Sequence, residues 1–515
     1  VWPAHLPVTL DYPSVPAWWL LERNLARFAD RVALRELDVE TLAEGRTLTY
    51  AALWRAARGV ATGLRGLGIG PGTRVGYCLP NGADLVIGYY ATWIAGGVVV
   101  PANPHAREAE LVQQLGDAEV ALVIGAAEGA AATAAHRLGV SFVDVARFRG
   151  LADLPPAQPA TGDPHDDVAV LLYTGGTTGA PKGAMLSHRN LVVNTIQFAE
   201  WYAFAPGEET MVSALPLYHS GGMSGAMNVP LSAGATCLVL TRFSAPAVAR
   251  AVTRYRATRL FGVPTMFIAL LNDAEGQRAD YSSLRACRTN AAPLPPAVKA
   301  AFDTLVGREV LVEGYGLTET SPLTHANPIG RAKAGSIGVP LPDTDARIVD
   351  VERGVDVVAG EAGELLVRGP QVMLGYWRRP AETAQALQDG WLRTGDIARM
   401  DDEGYFSVVD RSKDVINTAG FKVWPREVEE TLYAHPAVRQ AAVVGVPDDY
   451  RGEAVKAYVV LRDGAEAPPS AEAIIDFCRQ RLTPYKAPRA VEFRSELPMT
   501  TTGKLLRREL RRESR

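Results

Sequence analysis

Cysteine is scarce: four in 515 residues, Cys78, Cys237, Cys287 and Cys478, far apart and with no CxxC pair. That spacing excludes a disulfide framework and a thiolate metal site, and predicts reduced, mostly buried thiols in a cytoplasmic protein. Lysine is scarce too: only eight of the 53 basic residues, at 182, 299, 333, 413, 422, 456, 486 and 504. An ammonium and a guanidinium differ in reach and hydrogen-bond geometry, so lysines that persist in an arginine-rich chain mark positions to inspect. Excess charge is also missing. A net charge of −4 with 47% apolar residues describes a globular chain and points to no nucleic-acid surface. At this length single cores stop growing, so two or more domains are expected.

The N-terminus lacks the basic-then-apolar layout of a signal peptide, and the ending RRESR is not a peroxisomal tripeptide. Two stretches carry no Asp, Glu, Lys or Arg, residues 85–104 and 210–241. The first is about long enough to cross a bilayer, but Gly96-Gly97 followed by VVVP predicts a buried helix, a turn and a strand. Pro216, Pro230 and a run of glycines interrupt the second. Both are expected inside an α/β domain, so no transmembrane segment is expected; peripheral membrane contact and a homodimer stay open.

Apolar runs with strand character (RVGYCLP, GGVVVPAN, VALVIG, VAVLLYTGG, ATCLVL, TRLFGVP) alternate with helical patterns, which argues for largely parallel sheets flanked by helices. LPPAQPATGDP, residues 154–164, reads as a surface connection. Near GYFSVVDRSKD, residues 404–414, the texture changes. About a hundred residues follow as a small α+β unit: helix PREVEETLYAH, strands AAVVGV and AVKAYVVL, helix SAEAIIDFCRQRL. The charged run Asp410-Arg411-Ser412-Lys413-Asp414 is a hinge candidate, and domains of 1–411 and 412–515 are expected.

The segment between the two halves of this pattern is the most informative. From Leu171 to His188 the chain reads LLYTGGTTGAPKGAMLSH: an apolar strand, then a loop of small residues, then Lys182. Small residues let the backbone approach a phosphate, and N–H groups, hydroxyls and the ammonium bind it. Pro181 and Gly183 depart from a Walker A loop, which needs Ser or Thr after its lysine. Irregular chain rather than a helix is expected to follow. Further along stand Glu313-Gly-Tyr-Gly-Leu-Thr-Glu319, Gly390-Trp-Leu-Arg-Thr-Gly-Asp396, Leu482-Thr-Pro-Tyr-Lys-Ala-Pro488 and Pro498-Met-Thr-Thr-Thr-Gly-Lys504. Tyr315 offers a flat face for an adenine. Thr318 and Glu319 offer a hydroxyl and a hard carboxylate for phosphate and Mg²⁺. Asp396, at a loop end, suits both hydroxyls of a ribose. Taken singly, each has a plainer reading: a core aromatic, a helix cap, a solvated charge.

In this order and spacing the motifs resemble the adenylate-forming superfamily of acyl-CoA synthetases, adenylation domains and luciferases, over nearly the whole chain. The resemblance implies an α/β fold: a large N-terminal domain of two sheet-and-helix subdomains plus a β-barrel, with a small α+β C-terminal lid. It also implies two half-reactions. A carboxylate attacks the α-phosphate of MgATP to give an acyl-adenylate and pyrophosphate, and the thiol of coenzyme A then displaces AMP.

Roles follow from the same resemblance. Thr174, Gly175, Gly176, Thr177, Thr178, Gly179 and Lys182 hold the β- and γ-phosphates, with Thr178 and Glu319 serving Mg²⁺. Ala291, Ala292 and Pro293 line the adenine with Tyr315 and its neighbours Glu313, Gly314, Gly316 and Thr318. Asp396 and Arg411 hold the ribose. Lys504 reaches the carboxylate and the α-phosphate. Lys413 is the pivot about which the lid turns, bringing Gly420, Phe421 and Lys422 to the thiol channel.

His219, in Leu215-Pro-Leu-Tyr-His219, matches the residue that gates the acyl pocket in CoA ligases. The runs SGGMSG, FGVPTMF and GSIG place small or apolar residues (Gly222, Met223, Gly262, Gly335, Ile337) where a hydrocarbon tail is expected. No buried carboxylate suited to an amino acid's ammonium stands near Tyr218. EGYGLTETSPLTHAN and DRSKDVINTAGFKVWPREVE look most like bacterial long-chain fatty acyl-CoA synthetases, so a medium- or long-chain fatty acid is the expected substrate. Thr289-Asn290 departs from the usual Ser-Gly, and Asn290 adds volume at the pocket floor. An aryl or other small-carboxylate CoA ligase, an acyl-AMP ligase feeding a carrier protein, and a non-catalytic lipid- or nucleotide-binding protein are the competing readings.

Overall fold

The computed structural model describes residues 2–174, 181–351, 353–411, 414–418, 421–448, 450–462, 468–499 and 505–513. Every apolar run singled out above becomes a strand, and packing divides the chain into two units. The first takes in 1–334, 338–345 and 367–392; the second, 335–337, 346–366 and 393–515.

Two sheets organise the first unit. One has seven strands, in the order Gly375–Tyr376, Lys182–Ser187, Val168–Thr174, Val98–Pro101, Arg74–Tyr77, Leu122–Gly125, Ser141–Asp144. Its last five strands run parallel, as strands joined by helical crossovers must. Helix Ala83–Ala95 is buried along its whole length and ends at Gly96, whose φ of +93° places it in the left-handed region. This accounts for the first uncharged stretch as interior helix, turn and strand. The second uncharged stretch becomes strand Thr210–Ser213, a π-helix over Gly221–Asn228 and strand Thr236–Leu240, all largely buried. Those two strands belong to a nine-stranded sheet, whose parallel centre includes Arg259–Gly262, Ala286–Thr289 and Leu311–Gly316.

The chain after Lys182 differs from expectation. It is neither helical nor irregular but an antiparallel strand, Lys182–Ser187, pairing Thr174 with Lys182 and Leu172 with Ala184. GAMLS is buried on both faces, as suits a strand within a covered sheet, and Ser187 then opens helix His188–Trp201 through a capping box with Asn190.

In the second unit a five-stranded sheet packs helices Pro425–Tyr433 and Ala471–Arg479 over a core of Val428, Leu432, Val443, Val459 and Ile474. A further five-stranded sheet includes Gly363–Arg368, Trp391–Met400 and Phe406–Arg411. All four cysteines are free and buried, and burial pushes the Cys78 and Cys237 thiols up to about 12. No described helix is long and apolar enough to cross a membrane.

Candidate active site

The phosphate-loop residues Gly175, Gly176, Thr177, Thr178 and Gly179 lie outside the described residues, as do Lys413, Gly420 and Lys504. The loop's two ends are described: Thr174 and Lys182 face each other across the hairpin. At Lys182 the structure assembles a cluster that the motifs do not reveal. Gly375–Tyr376 pairs with the strand carrying the lysine, Tyr376 opposite Ala184, and Trp377 N donates to Gly183 O at 2.8 Å. The Lys182 ammonium sits 5.1 Å from the centre of the Tyr376 ring. On the other side, Tyr376 OH donates to Glu319 Oε1 at 2.7 Å, and Met373 N donates to Glu319 O at 2.8 Å. Burial, then the Glu319 charge, hold the phenol well above its ordinary range, so it remains a donor. Lys182 and Glu319, 137 residues apart, are thus joined through one tyrosine.

Glu319 itself stands on a single 3₁₀ turn, Thr318–Thr320. Ser321 O behind it accepts from Ser224 Oγ at 2.7 Å, and Ser321 Oγ donates to Gln371 O at 3.0 Å. Tyr315 is half-buried near the end of strand Leu311–Gly316, its ring edge-on to His325 at 5.9 Å. Its flanking glycines answer to packing: a Cβ on Gly316 would lie 1.7 Å from Pro322 O, and one on Gly314 2.9 Å from Arg288 Nε. The register Thr289 opposite Glu313 puts the 291–293 turn and Tyr315 at the carboxyl ends of adjacent parallel strands, where ligands bind in open α/β sheets. Ala291 holds φ +69°, a strained value for a residue with a side chain. Glu313 is buried, and its carbonyl accepts from both Asn327 N and Asn327 Nδ2.

A buried clamp sets the turn that carries His219. Asn81 donates to Leu215 O at 2.8 Å and accepts from Leu217 N at 2.8 Å, fixing the turn that presents His219. Met223 N donates to His219 O at 2.8 Å at the head of the π-helix. His219 Nε2 is buried with no hydrogen-bond partner among the described residues, and burial lowers the imidazole to about 4, so it is neutral at pH 7. Gly222 cannot carry a side chain, since a Cβ there would meet Pro216 O at 2.0 Å. Met223 is fully buried, Gly262 packs on Met266 and Phe267, and the Asn290 amide lies 3.5 Å from where a Cβ on Gly221 would stand.

Gly335 and Ile337 belong to the second unit, where Ile337 N donates to Phe406 O at 2.9 Å. Asp396, expected at a loop end, is instead buried within strand Trp391–Met400, directly opposite Arg411. The left-handed Gly395 bends the strand just before it. Register therefore brings together two residues fifteen positions apart. Only the backbones of Arg411 and Lys422 are described, in strands Phe406–Arg411 and Phe421–Val423. Phe421 is 53% exposed and stacks on Tyr485 at 4.5 Å, so the loop bearing Lys422 and the LTPYKAP segment meet.

A broad groove elsewhere, lined by Arg256, Thr258, Ser282, Ser283, Arg285 and Arg308, opens at the amino ends of the parallel strands. Asp280, Glu208 and Glu209 pair with two of its arginines and backbone carbonyls hold Arg308, so it has no part in this site.

Residues 21–377 match the family model described as AMP-binding enzyme, and residues 427–504 match the AMP-binding enzyme C-terminal domain. A long-chain-fatty-acid–CoA ligase of Bacillus subtilis is 40% identical across 99% of this chain and 97% of that protein. A feruloyl-CoA synthase of Amycolatopsis is also 40% identical, across 91% of this chain and 94% of that protein. Among solved structures, an anthranilate CoA ligase in complex with anthranoyl-AMP superposes with a TM-score of 0.89 at 29% identity, covering 99% and 98% of the two chains. With both family models in order along one chain and full-length relatives at this identity, the protein belongs to the AMP-binding enzyme family, as an AMP-forming acid–thiol ligase.

Proposed function

We propose that the enzyme activates a medium- or long-chain fatty acid with ATP, forming an acyl-adenylate, and transfers the acyl group to coenzyme A with release of AMP and pyrophosphate. The observation that carries this reading is the buried wall of small and apolar residues behind a neutral His219. That wall offers a hydrocarbon chain area to bury at about 0.8 kcal/mol per methylene. Carboxylate and triphosphate repel each other, so cations must meet them. Lys182 supplies one at the phosphate loop, and Lys504 supplies the other, at the carboxylate and α-phosphate. Thr174 to Lys182 cradle the β- and γ-phosphates through Gly175, Gly176, Thr177, Thr178 and Gly179. Tyr315 and Ala291, Ala292 and Pro293 line the adenine, while Asp396 and Arg411 take the ribose.

Among the described residues no group of three or more His, Cys, Asp or Glu side chains forms a metal cage. A lone hard carboxylate suits a Mg²⁺ ion held mainly by phosphate and water; Glu319, with Thr178, would hold it, and the ion would supply charge neutralisation. Lys413 is the pivot of a lid comprising 412–515, which exchanges Lys504 for the loop of Gly420, Phe421 and Lys422. Four buried, unpaired thiols fit a cytoplasmic enzyme.

Saturated fatty acids from short to long, assayed for AMP release with and without coenzyme A below their micellar concentrations, test the reading. Efficiency should rise with each methylene to an optimum, and Asn290→Gly should move that optimum to longer chains. Efficiency flat with length, or highest for benzoate-like acids, refutes it in favour of an aryl-CoA ligase, the reading favoured by the feruloyl-CoA synthase relative.

A further inference from the structure

Helix Glu108–Asp117 ends on a carboxylate. The helix dipole disfavours an anion at that end, so Asp117 answers to something beyond its own helix. Its side chain has two partners, at sequence distances of 56 and 262 residues. Oδ2 accepts from the Tyr173 hydroxyl at 2.7 Å, and Oδ1 accepts from Arg379 Nη2. The Asp117 carbonyl accepts from Trp377 Nε1 at 3.1 Å. In the turn that follows, Arg74 donates to the carbonyls of Ala118 and Glu119, and its guanidinium lies 5.1 Å from the centre of the Trp377 ring.

These partners converge on the hairpin that carries Lys182. Tyr173 and Thr174 end one arm and Lys182 and Gly183 begin the other, with Thr174 opposite Lys182 and Tyr173 opposite Gly183. Side chains alternate along a strand, so Thr174 and Lys182 leave one face of the hairpin and Tyr173 leaves the other. The Tyr173 ring covers Gly183, where an added Cβ would stand 3.1 Å from Cζ. Burial, then the hydrogen bond to Asp117, hold the Tyr173 phenol well above its ordinary range, so it serves as the donor. Asp117 thereby holds one arm through Tyr173. It holds the other through Trp377, whose backbone N–H is bound to Gly183 O. The same two anchors bracket Tyr376: Trp377 follows it directly, and Arg379 N donates to Tyr376 O at 3.1 Å.

We propose that Asp117 is a positioning residue for adenylation, bracing the Lys182 hairpin and the adjoining Tyr376 from the face away from the Lys182 ammonium, so that ATP affinity depends on its carboxylate. The proposal rests on the acyl-CoA ligase reading above, in which that hairpin meets the β- and γ-phosphates. Misplaced donors lose much of their worth to a bound phosphate, because pre-organisation within a fraction of an ångström is what makes them effective.

ATP–pyrophosphate exchange, with ATP and the best fatty acid varied separately, tests this on wild type, Asp117→Asn, Tyr173→Phe, their double variant and Arg137→Gln. Asp117→Asn keeps the volume and removes the charge, while Tyr173→Phe keeps the ring on Gly183 and removes only the hydroxyl. Each should raise KM for ATP about tenfold, the scale of one hydrogen bond to a charged group. KM for the fatty acid, and thioester formation from supplied acyl-AMP, should stay within twofold of wild type. Both substitutions break the same bond, so the double variant should exceed Asp117→Asn by no more than about twofold. Arg137→Gln breaks the exposed pair with Glu108 at the opposite end of the same helix and should leave every constant within twofold, which separates the brace from helix stability. An unchanged KM for ATP in Asp117→Asn and Tyr173→Phe overturns the positioning role and leaves the ligase reading standing. Equal rises in KM for ATP and for the fatty acid, or the same rise in Arg137→Gln, do so too. Wild type that shows no exchange with any carboxylic acid overturns the ligase reading itself.

Discussion

Tyr376→Phe removes one oxygen atom and tests whether the link between Lys182 and Glu319 serves the first half-reaction. The ring remains, so the ammonium of Lys182 keeps its 5.1 Å contact and the strand pairing opposite Ala184 is unaffected. What disappears is the 2.7 Å hydrogen bond to the Glu319 carboxylate. A bond to a charged acceptor is worth about 1.5–3 kcal/mol, and the half-buried setting of Tyr376 argues for the lower part of that range. The expected loss is therefore about ten- to thirtyfold in the rate of acyl-adenylate formation. ATP–pyrophosphate exchange measures that step, and thioester formation from supplied acyl-AMP serves as the control, which should be unchanged. A Mg²⁺ titration should show weaker apparent binding, because the carboxylate loses its orientation. Tyr376→Leu should cost a further two- to fivefold through loss of the ring, about 0.5–1 kcal/mol. Exchange within twofold of wild type in Tyr376→Phe, or equal losses in both half-reactions, would refute the reasoning.

Lys504→Ala should nearly abolish pyrophosphate exchange, by two to three orders of magnitude, while thioester formation from supplied acyl-AMP survives; equal damage to both steps would remove Lys504 from its role. Lys413→Pro, which restricts the backbone torsions of the pivot, should do the reverse, sparing exchange and impairing coenzyme A transfer. Burial lowers His188 and His219 to about 4 and His325 to about 3. Against an unfolded value near 6.5, the unfolded chain binds the extra protons as pH falls, so stability should drop through the window from about 6.5 to 4. Each histidine contributes about 1.4 kcal/mol per pH unit there. His188→Gln should remove about a third of the slope of urea stability against pH, and a midpoint flat from pH 7 to 5 would contradict the burial argument.

Patterning alone determined the α/β class, the strands and the interior nature of both uncharged stretches, because apolar periodicity and turn residues are local properties. Motif order likewise carried the resemblance to the family, since close backbone approach, flat faces and hard carboxylates demand particular residue types. Three features were decided only by the tertiary structure. Asp396 became a strand residue paired with Arg411, because register depends on the partner strand and not on the loop-like composition of TGD. Tyr376 joined the site because a two-residue edge strand pairs beside Lys182, a contact between positions 194 residues apart with no local signature. Arg288 looked like any other arginine in a chain rich in them. What sets it apart is that the strand carries it inward and no described residue forms an ion pair with it, and burial and pairing are settled by the neighbours that folding supplies.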